Sequence, residues 1–192
     1  MDESTEVVLA SASPQRREML ERLGIEFSVE VSGVEEITHG DPKEVVLANA
    51  LLKARSASRS GVLTIGCDTD VVVEGHLIGK PEDEMRAHEY LAQLSGRTHE
   101  VVSGLALLGP EDDRVRTGTV ETRVTFRPLE VSEIDAYVAT GEWRGRAGGY
   151  AIQGVGASLV ERVEGDISNV IGLPIGLLLS LAPDLMPSAT GR

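Results

Sequence analysis

Apolar residues along this chain fall into short blocks separated by Gly, Pro and charged residues, and the spacing inside each block predicts an element. Val7 to Ala10 is a continuous apolar run of the length of a buried strand. From Pro14 the period changes: Met19, Leu20 and Leu23 share one helical face, and Gly24 stops the helix. Glu26 to Val31 alternates as a strand does. Asp41-Pro42-Lys43-Glu44 supplies a cap, a proline at the first helical position and a nearby acid, starting a helix that runs to about Ser58 and ends near Gly61. Val62 to Ile65 is another apolar strand, giving way at Gly66-Cys67-Asp68-Thr69, after which Val71-Val72-Val73 opens a hairpin around Glu74-Gly75-His76. Pro81 opens a helix to Leu94, stopped by Gly96. Two longer strands, Val101 to Leu108 and Thr117 to Phe126, flank the turn Gly109-Pro110-Glu111-Asp112-Asp113. Ser132 caps a short helix through Tyr137 that ends at Gly141, and Gly145 to Gly156 reads as a glycine-rich functional loop. Ala157 to Val163 is a strand, and Pro174 to Leu181 a last apolar helix before a tail from Pro183. Two long strands around so short a turn pair antiparallel, whereas the first strands alternate with helices. The order predicts an α/β fold: a mixed β-sheet with flanking helices.

Composition narrows the function classes. The 192 residues carry 31 acids against 18 basic residues, a net charge of −13. Such a chain should not bind long nucleic acid through a broad electrostatic surface, so any phosphate must be held in a local basic pocket. Only Lys43, Lys53 and Lys80 among the basic residues are lysine. That skew matches an acidic, halophile-like surface adapted to salt screening. No stretch approaches the ~18 apolar residues of a membrane span. The acidic Met1-Asp2-Glu3-Ser4 lacks the basic start of a secretory signal, and the single Cys67 excludes an internal disulfide, so a cytoplasmic protein is expected. One domain over residues 1–192 suffices for this length.

The strongest candidate chemistry lies in Ser11-Ala12-Ser13-Pro14-Gln15-Arg16-Arg17, directly after the first strand. With Ser13 as N-cap and Pro14 at the first helical position, free N–H groups, two hydroxyls and two guanidinium groups gather at a helix start, which suits an anion with several oxygens. An ordinary capped helix with two surface arginines is the plainer reading. Asp68, at the end of an apolar strand, suits a general base or a ligand for a hard cation, or else an Asx-type turn; Asp70 follows it. Glu35 and Glu36 read as a solvated loop unless they converge with Asp68 on a metal. Lys80-Pro81 repeats the logic of Ser13-Pro14, placing an ammonium near a second helix N-terminus. Lys53, within a helix, either reaches inward or snorkels over the core edge. Gln153, in Gly149-Tyr150-Ala151-Ile152-Gln153-Gly154, offers an amide that can read the edge of a base. The phosphate-loop, dinucleotide and nucleophile-elbow motifs are absent. His39, His76, His88 and His99 show no metal-ligand spacing and read as surface or loop residues.

Taken in order, these stretches resemble the Maf family of nucleoside triphosphate pyrophosphatases. The resemblance is carried by Leu9 to Arg17, Gly33-Val34-Glu35-Glu36, Lys53-Ala54, Gly66-Cys67-Asp68-Thr69, Gly79-Lys80-Pro81, Leu94 to His99, Ala147 to Gly154 and Val170 to Pro174. It implies two lobes around a central cleft, a divalent metal cation (Mg2+ or Mn2+), a homodimer, and hydrolysis of a nucleoside triphosphate to the monophosphate and pyrophosphate. By position it implies Asp68 as the catalytic carboxylate. Ser11, Ser13, Arg16, Lys53 and Lys80 become the phosphate-contacting set, and Glu36 the metal partner of Asp68, with Glu35 beside it. Thr69 and Gln153 match the branch similar to dTTP/UTP pyrophosphatases. Gln15 stands where that branch usually has Arg, which removes a cation from the specificity triplet Gln15, Thr69 and Gln153; Cys67 replaces a more usual Ala. Two other readings remain at this point: a nucleotide-binding regulator of cell division without turnover, and an ITP/XTP pyrophosphatase of related fold.

Overall fold

The computed structural model describes residues 6–109 and 115–186. Among these residues seven strands form one sheet: β1 (Glu6–Leu9), β2 (Ser28–Val29), β3 (Val62–Val73), β4 (His76–Leu77), β5 (Thr98–Leu108), β6 (Val115–Phe126) and β7 (Val160–Glu164). Its order is β2-β1-β3-β5-β6-β7, with β4 paired to β3. β2, β1 and β3 run parallel, and every other pairing is antiparallel. This is the mixed α/β sheet expected. Among the described residues six α-helices flank it: α1 (Pro14–Arg22), α2 (Pro42–Ala57), α3 (Glu84–Leu94), α4 (Val131–Thr140), α5 (Ile167–Ile171) and α6 (Ile175–Leu181). No helix among the described residues is long and apolar enough to cross a membrane.

Several predicted boundaries move for local reasons. The strand expected over Glu26 to Val31 shrinks to the two residues that pair with β1. α3 begins three residues after Pro81, because the Asp83 carboxylate caps it by accepting from the Arg86 N–H at 2.8 Å. α4 is capped at Glu130 rather than Ser132: the Glu133 carboxylate accepts from the Glu130 N–H at 2.9 Å. β7 starts at Val160, after a 3-10 turn over Gly154–Leu159, and α5 has no counterpart among the predicted elements. The expected turn over Pro110 to Asp113 and the tail beyond residue 186 lie outside the described residues.

The largest correction concerns Gly66 to Thr69. They do not end a strand but sit inside β3, which pairs with β5 without interruption from Thr64 to Val72. Gly66 is there for the helix above. A Cβ at this position would lie 2.1 Å from the Ala50 carbonyl oxygen, and one at Gly104 on β5 would lie 2.3 Å from that of Val46. α2 therefore rests its backbone directly on the sheet, with Ala50, Ala54 and Ala106 packed at the crossing. This close seat fixes how far the polar residues of α2 reach.

The interior divides into two main clusters. One joins Val7, Leu9, Leu20, Ile65 and Leu178 under α1 and α6; the other joins Val71, Leu91, Phe126, Tyr137 and Trp143 under α3 and α4. A cleft opens between them, along the one stretch of β3 that lacks a neighbour on the side away from β5. β1 leaves at Leu9↔Ile65, and β4 joins only at Val72↔Leu77.

Candidate active site

Because β3 is open on that side between Ile65 and Val72, residues on both of its faces lean into one cavity of about 340 Å3. Its lining comes from the β1–α1 turn and the start of α1, from β3, from the segment Gly145 to Gln153, and from Val170 to Gly172, the last of these in contact with Arg16. Lining it are Ser11, Ser13, Gln15, Arg16, Glu36, Lys53, Asp68, Thr69, Lys80 and Gln153; Arg17, the second guanidinium expected at the helix start, is instead exposed and pairs with Glu21. Glu35 is not among the lining residues.

Ser13 caps α1, its hydroxyl accepting from the Arg16 N–H at 3.5 Å. The Ser11 hydroxyl accepts from the Ser13 N–H at 3.2 Å and from Arg16 Nη1 at 3.0 Å. Arg16, 8% exposed, also donates through Nε to the Gly172 carbonyl at 2.8 Å and through Nη2 to Thr69 Oγ1 at 3.1 Å. All three partners are neutral, so its charge is uncompensated by any direct carboxylate contact among the described residues. Thr69 also hydrogen-bonds Ser103 Oγ at 2.7 Å, and Gln15 Oε1 accepts from the Ser13 hydroxyl at 3.1 Å. Of the triplet, only Gln153 is without a side-chain hydrogen bond among the described residues.

Asp68 is gripped through both oxygens from α2. Lys53 Nζ donates to Oδ1 at 2.7 Å, and Asn49 Nδ2 donates to Oδ2 at 3.0 Å. Lys53 thus points inward rather than snorkelling, and its ammonium also meets Glu36 Oε1 at 2.7 Å. Burial would raise the Asp68 pKa, but the Lys53 charge, the Lys53 and Asn49 hydrogen bonds and the Arg16 charge outweigh it and hold the carboxyl below its ordinary value. Asp68 is therefore ionised at neutral pH. Asn49 was not singled out in the sequence. Its only signal is a lone amide within the apolar stretch Val45 to Leu52, one helical turn before Lys53. It is 2% exposed, and beyond Asp68 it binds the Ile37 backbone twice, at 2.8 and 2.9 Å. That ties the loop carrying Glu36 to the same carboxylate.

Lys80 reaches the cavity without a helix N-terminus behind it. Its turn is instead held by the Gly79 N–H donating to Asp70 Oδ1 at 3.0 Å and the Gly148 N–H donating to the Gly79 carbonyl at 2.8 Å. Asp70 thus braces that turn rather than lining the cavity; burial pushes its pKa up to about 6. His99 is not a surface residue either. It is 3% exposed, packs edge-on against Phe126 and Tyr150, and meets the Tyr150 hydroxyl at 2.8 Å. Burial lowers its pKa to about 4, so it is neutral and supports the cavity wall through Tyr150.

The donor set bears on a metal. No group of three or more His, Cys, Asp or Glu side chains among the described residues could hold an ion. Glu36 and Asp68 alone converge, and Lys53 lies between them. One or two carboxylates completed by substrate phosphates are the usual setting of Mg2+, so these residues fit a cation that arrives with a polyphosphate.

The family model described as Maf-like protein matches residues 6–184. A protein of Moorella thermoacetica named dTTP/UTP pyrophosphatase is 48% identical over 179 residues, 89% of this chain and 90% of its own. Proteins of the same name from Deinococcus radiodurans and Dictyoglomus thermophilum are 43% and 42% identical, covering 96% and 92% of this chain and 95% and 94% of their own. With the family match running through the walls of the cavity and nearly the whole of the sheet, the chain belongs to the Maf family.

Proposed function

We propose that this chain hydrolyses a nucleoside triphosphate, dTTP and UTP foremost, to the nucleoside monophosphate and pyrophosphate. The observation that carries this reading is one cavity holding an ionised, doubly anchored Asp68 together with Arg16, a buried guanidinium that meets only neutral groups. The relatives named dTTP/UTP pyrophosphatase supply the nucleotide class.

In this mechanism water attacks the α-phosphorus. Its oxygen forms the new P–O bond, the bridging bond to the β-phosphate breaks, and pyrophosphate leaves with the bonding electron pair. Asp68 takes the proton from the attacking water. Lys53 keeps Asp68 a weak base in the free protein; a triphosphate that competes for that ammonium and brings its own negative charge raises the proton affinity of Asp68 when it is needed. Arg16, Lys53 and Lys80 face the charge that develops along the phosphate chain, where catalysis is mostly positioning and electrostatics. The Ser11 and Ser13 hydroxyls orient Arg16 and the helix start. Glu36 and Asp68 would hold the divalent cation, which when bound neutralises phosphate charge and acidifies water. From the resemblance we also propose a homodimer, which light scattering tests; a cytoplasmic location, proposed from the single Cys67, is tested by cell fractionation.

Hydrolysis of a dTTP, UTP, dCTP, ITP and XTP panel in 18O-water tests the reaction. Label in the monophosphate and a preference for dTTP and UTP are expected. Label in the pyrophosphate overturns attack at the α-phosphorus, an ITP/XTP preference overturns the substrate class, and nucleotide binding without turnover favours a regulator. Asp68→Asn should lower turnover at least ~100-fold while the protein still folds; near-normal pyrophosphate release by that variant removes Asp68 from the mechanism.

A further inference from the structure

The cations of this acidic chain divide into two populations. Nine described arginines, from Arg17 to Arg162, pair with a carboxylate, as expected where acids outnumber bases. Arg55 lacks a partner among the described residues but is exposed, and Arg116 donates to the Leu181 carbonyl. Two arginines line the cavity: Arg16 and Arg146. No motif of the sequence singled out Arg146.

Arg146 lines the same cavity as Arg16 from a different part of the chain, at the start of the Gly145 to Gln153 segment. It is half-buried, and its guanidinium has neither an ion pair nor a hydrogen bond among the described residues. The charged residues beside it in the chain are engaged elsewhere. Arg144, two residues earlier, pairs with Glu84 at 3.2 Å and lies over the Trp143 ring at 4.6 Å. Glu142, the acid whose charge reaches Arg146, is already committed: Oε1 accepts from the Val155 N–H at 3.0 Å and Oε2 from the Gly156 N–H at 3.1 Å. A partly desolvated cation without a counter-ion costs the free protein stability and returns that cost when an anion arrives. Its planar fork suits two phosphate oxygens at once.

We infer that Arg146 is a further substrate-binding residue, holding the phosphate chain from a segment of the lining separate from the α1 start that carries Arg16. This rests on the pyrophosphatase reading for the identity of the anion. A charge held in reserve has a signature that a structural arginine lacks: removing it weakens the ligand without weakening the fold.

The test compares wild type, Arg146→Met and Arg146→Lys by calorimetric binding of inorganic tripolyphosphate, by KM and kcat for dTTP, and by melting temperature. Arg146→Met should weaken tripolyphosphate about 10- to 100-fold, raise the KM for dTTP by a similar factor and melt no lower than wild type. Arg146→Lys should recover part of the affinity. A lower melting temperature with unchanged affinity would make the residue structural and overturn the inference. Weaker dTTP with unchanged tripolyphosphate would place it on the base and overturn it equally, as would a wild type that binds no tripolyphosphate. Wild-type turnover of dTTP judges the pyrophosphatase reading separately: an inert wild type with Arg146-dependent tripolyphosphate binding would sink that reading and leave this one standing.

Discussion

Lys53→Met is the most informative single change, because it removes the internal counter-ion of the candidate site while keeping the length and helix propensity of the side chain. Lys53 Nζ lies 2.7 Å from both Glu36 and Asp68, and the Lys53 and Asp68 side chains are 9% and 12% exposed. At an effective dielectric constant of about 20, each contact is worth a gross ~6 kcal/mol, most of it offset by the cost of desolvating the charges. Removing one member of a buried pair leaves the other uncompensated, at about 3–5 kcal/mol. The Glu36 contact adds little, because that side chain is 44% exposed and water replaces the ammonium. A net loss of about 3 kcal/mol should lower the melting temperature by roughly 6–12 °C for a domain of this size. The freed carboxylates should then bind Mn2+ in the free protein, and a concentration 100-fold above Kd would return about 2.7 kcal/mol. Melting curves of both proteins across a Mn2+ titration, with free Mn2+ read by its EPR signal, check this. The variant should be rescued by Mn2+ while wild type responds weakly. Equal shifts in the two proteins, or a variant as stable as wild type without metal, would refute Lys53 as the internal counter-ion.

Three further outcomes follow from the same packing. Asn49→Leu keeps the helix but removes the amide that joins Asp68 to the Ile37 backbone; kcat should fall about 10-fold or more with KM changed less, and Asn49→Asp, which adds a like charge, should not rescue it. His99 takes its proton near pH 4 in the fold and near 6.5 when unfolded, so the unfolded chain binds more protons between these values and stability falls as pH drops through that window. Urea unfolding should show about 2.5 kcal/mol lost to His99 between pH 7 and 4.5, absent from His99→Asn. Gly66→Ala would set a methyl 2.1 Å from the Ala50 carbonyl, lifting α2 off the sheet; a loss of roughly 3 kcal/mol or more is expected, together with loss of nucleotide binding seen by calorimetry.

The sequence pattern and the structure agree where local chemistry decides the outcome. Ser13-Pro14 and Asp41-Pro42 start helices where expected, because a capping oxygen followed by proline satisfies the first turn whatever packs against it. Expectation and structure part where a distant partner decides. Gly66 reads locally as a strand end, yet β5 pairs straight past it and the glycine serves a helix passing overhead. Lys80-Pro81 reads as a helix start, but the Asp83 cap takes that role and leaves Lys80 on a braced turn. The same division runs through the site. Motif residues could be named in the sequence, but no spacing revealed that Asn49 and Lys53, four positions apart on α2, would take one oxygen each of an aspartate on a neighbouring strand. Nor could spacing show which charges are spent. An arginine count does not separate Arg144, paired with Glu84, from Arg146, which has no such partner among the described residues. Only the fold assigns each charge its neighbour, and in a chain of net charge −13 the cations facing the cavity without a carboxylate are the ones that mark where an anion belongs.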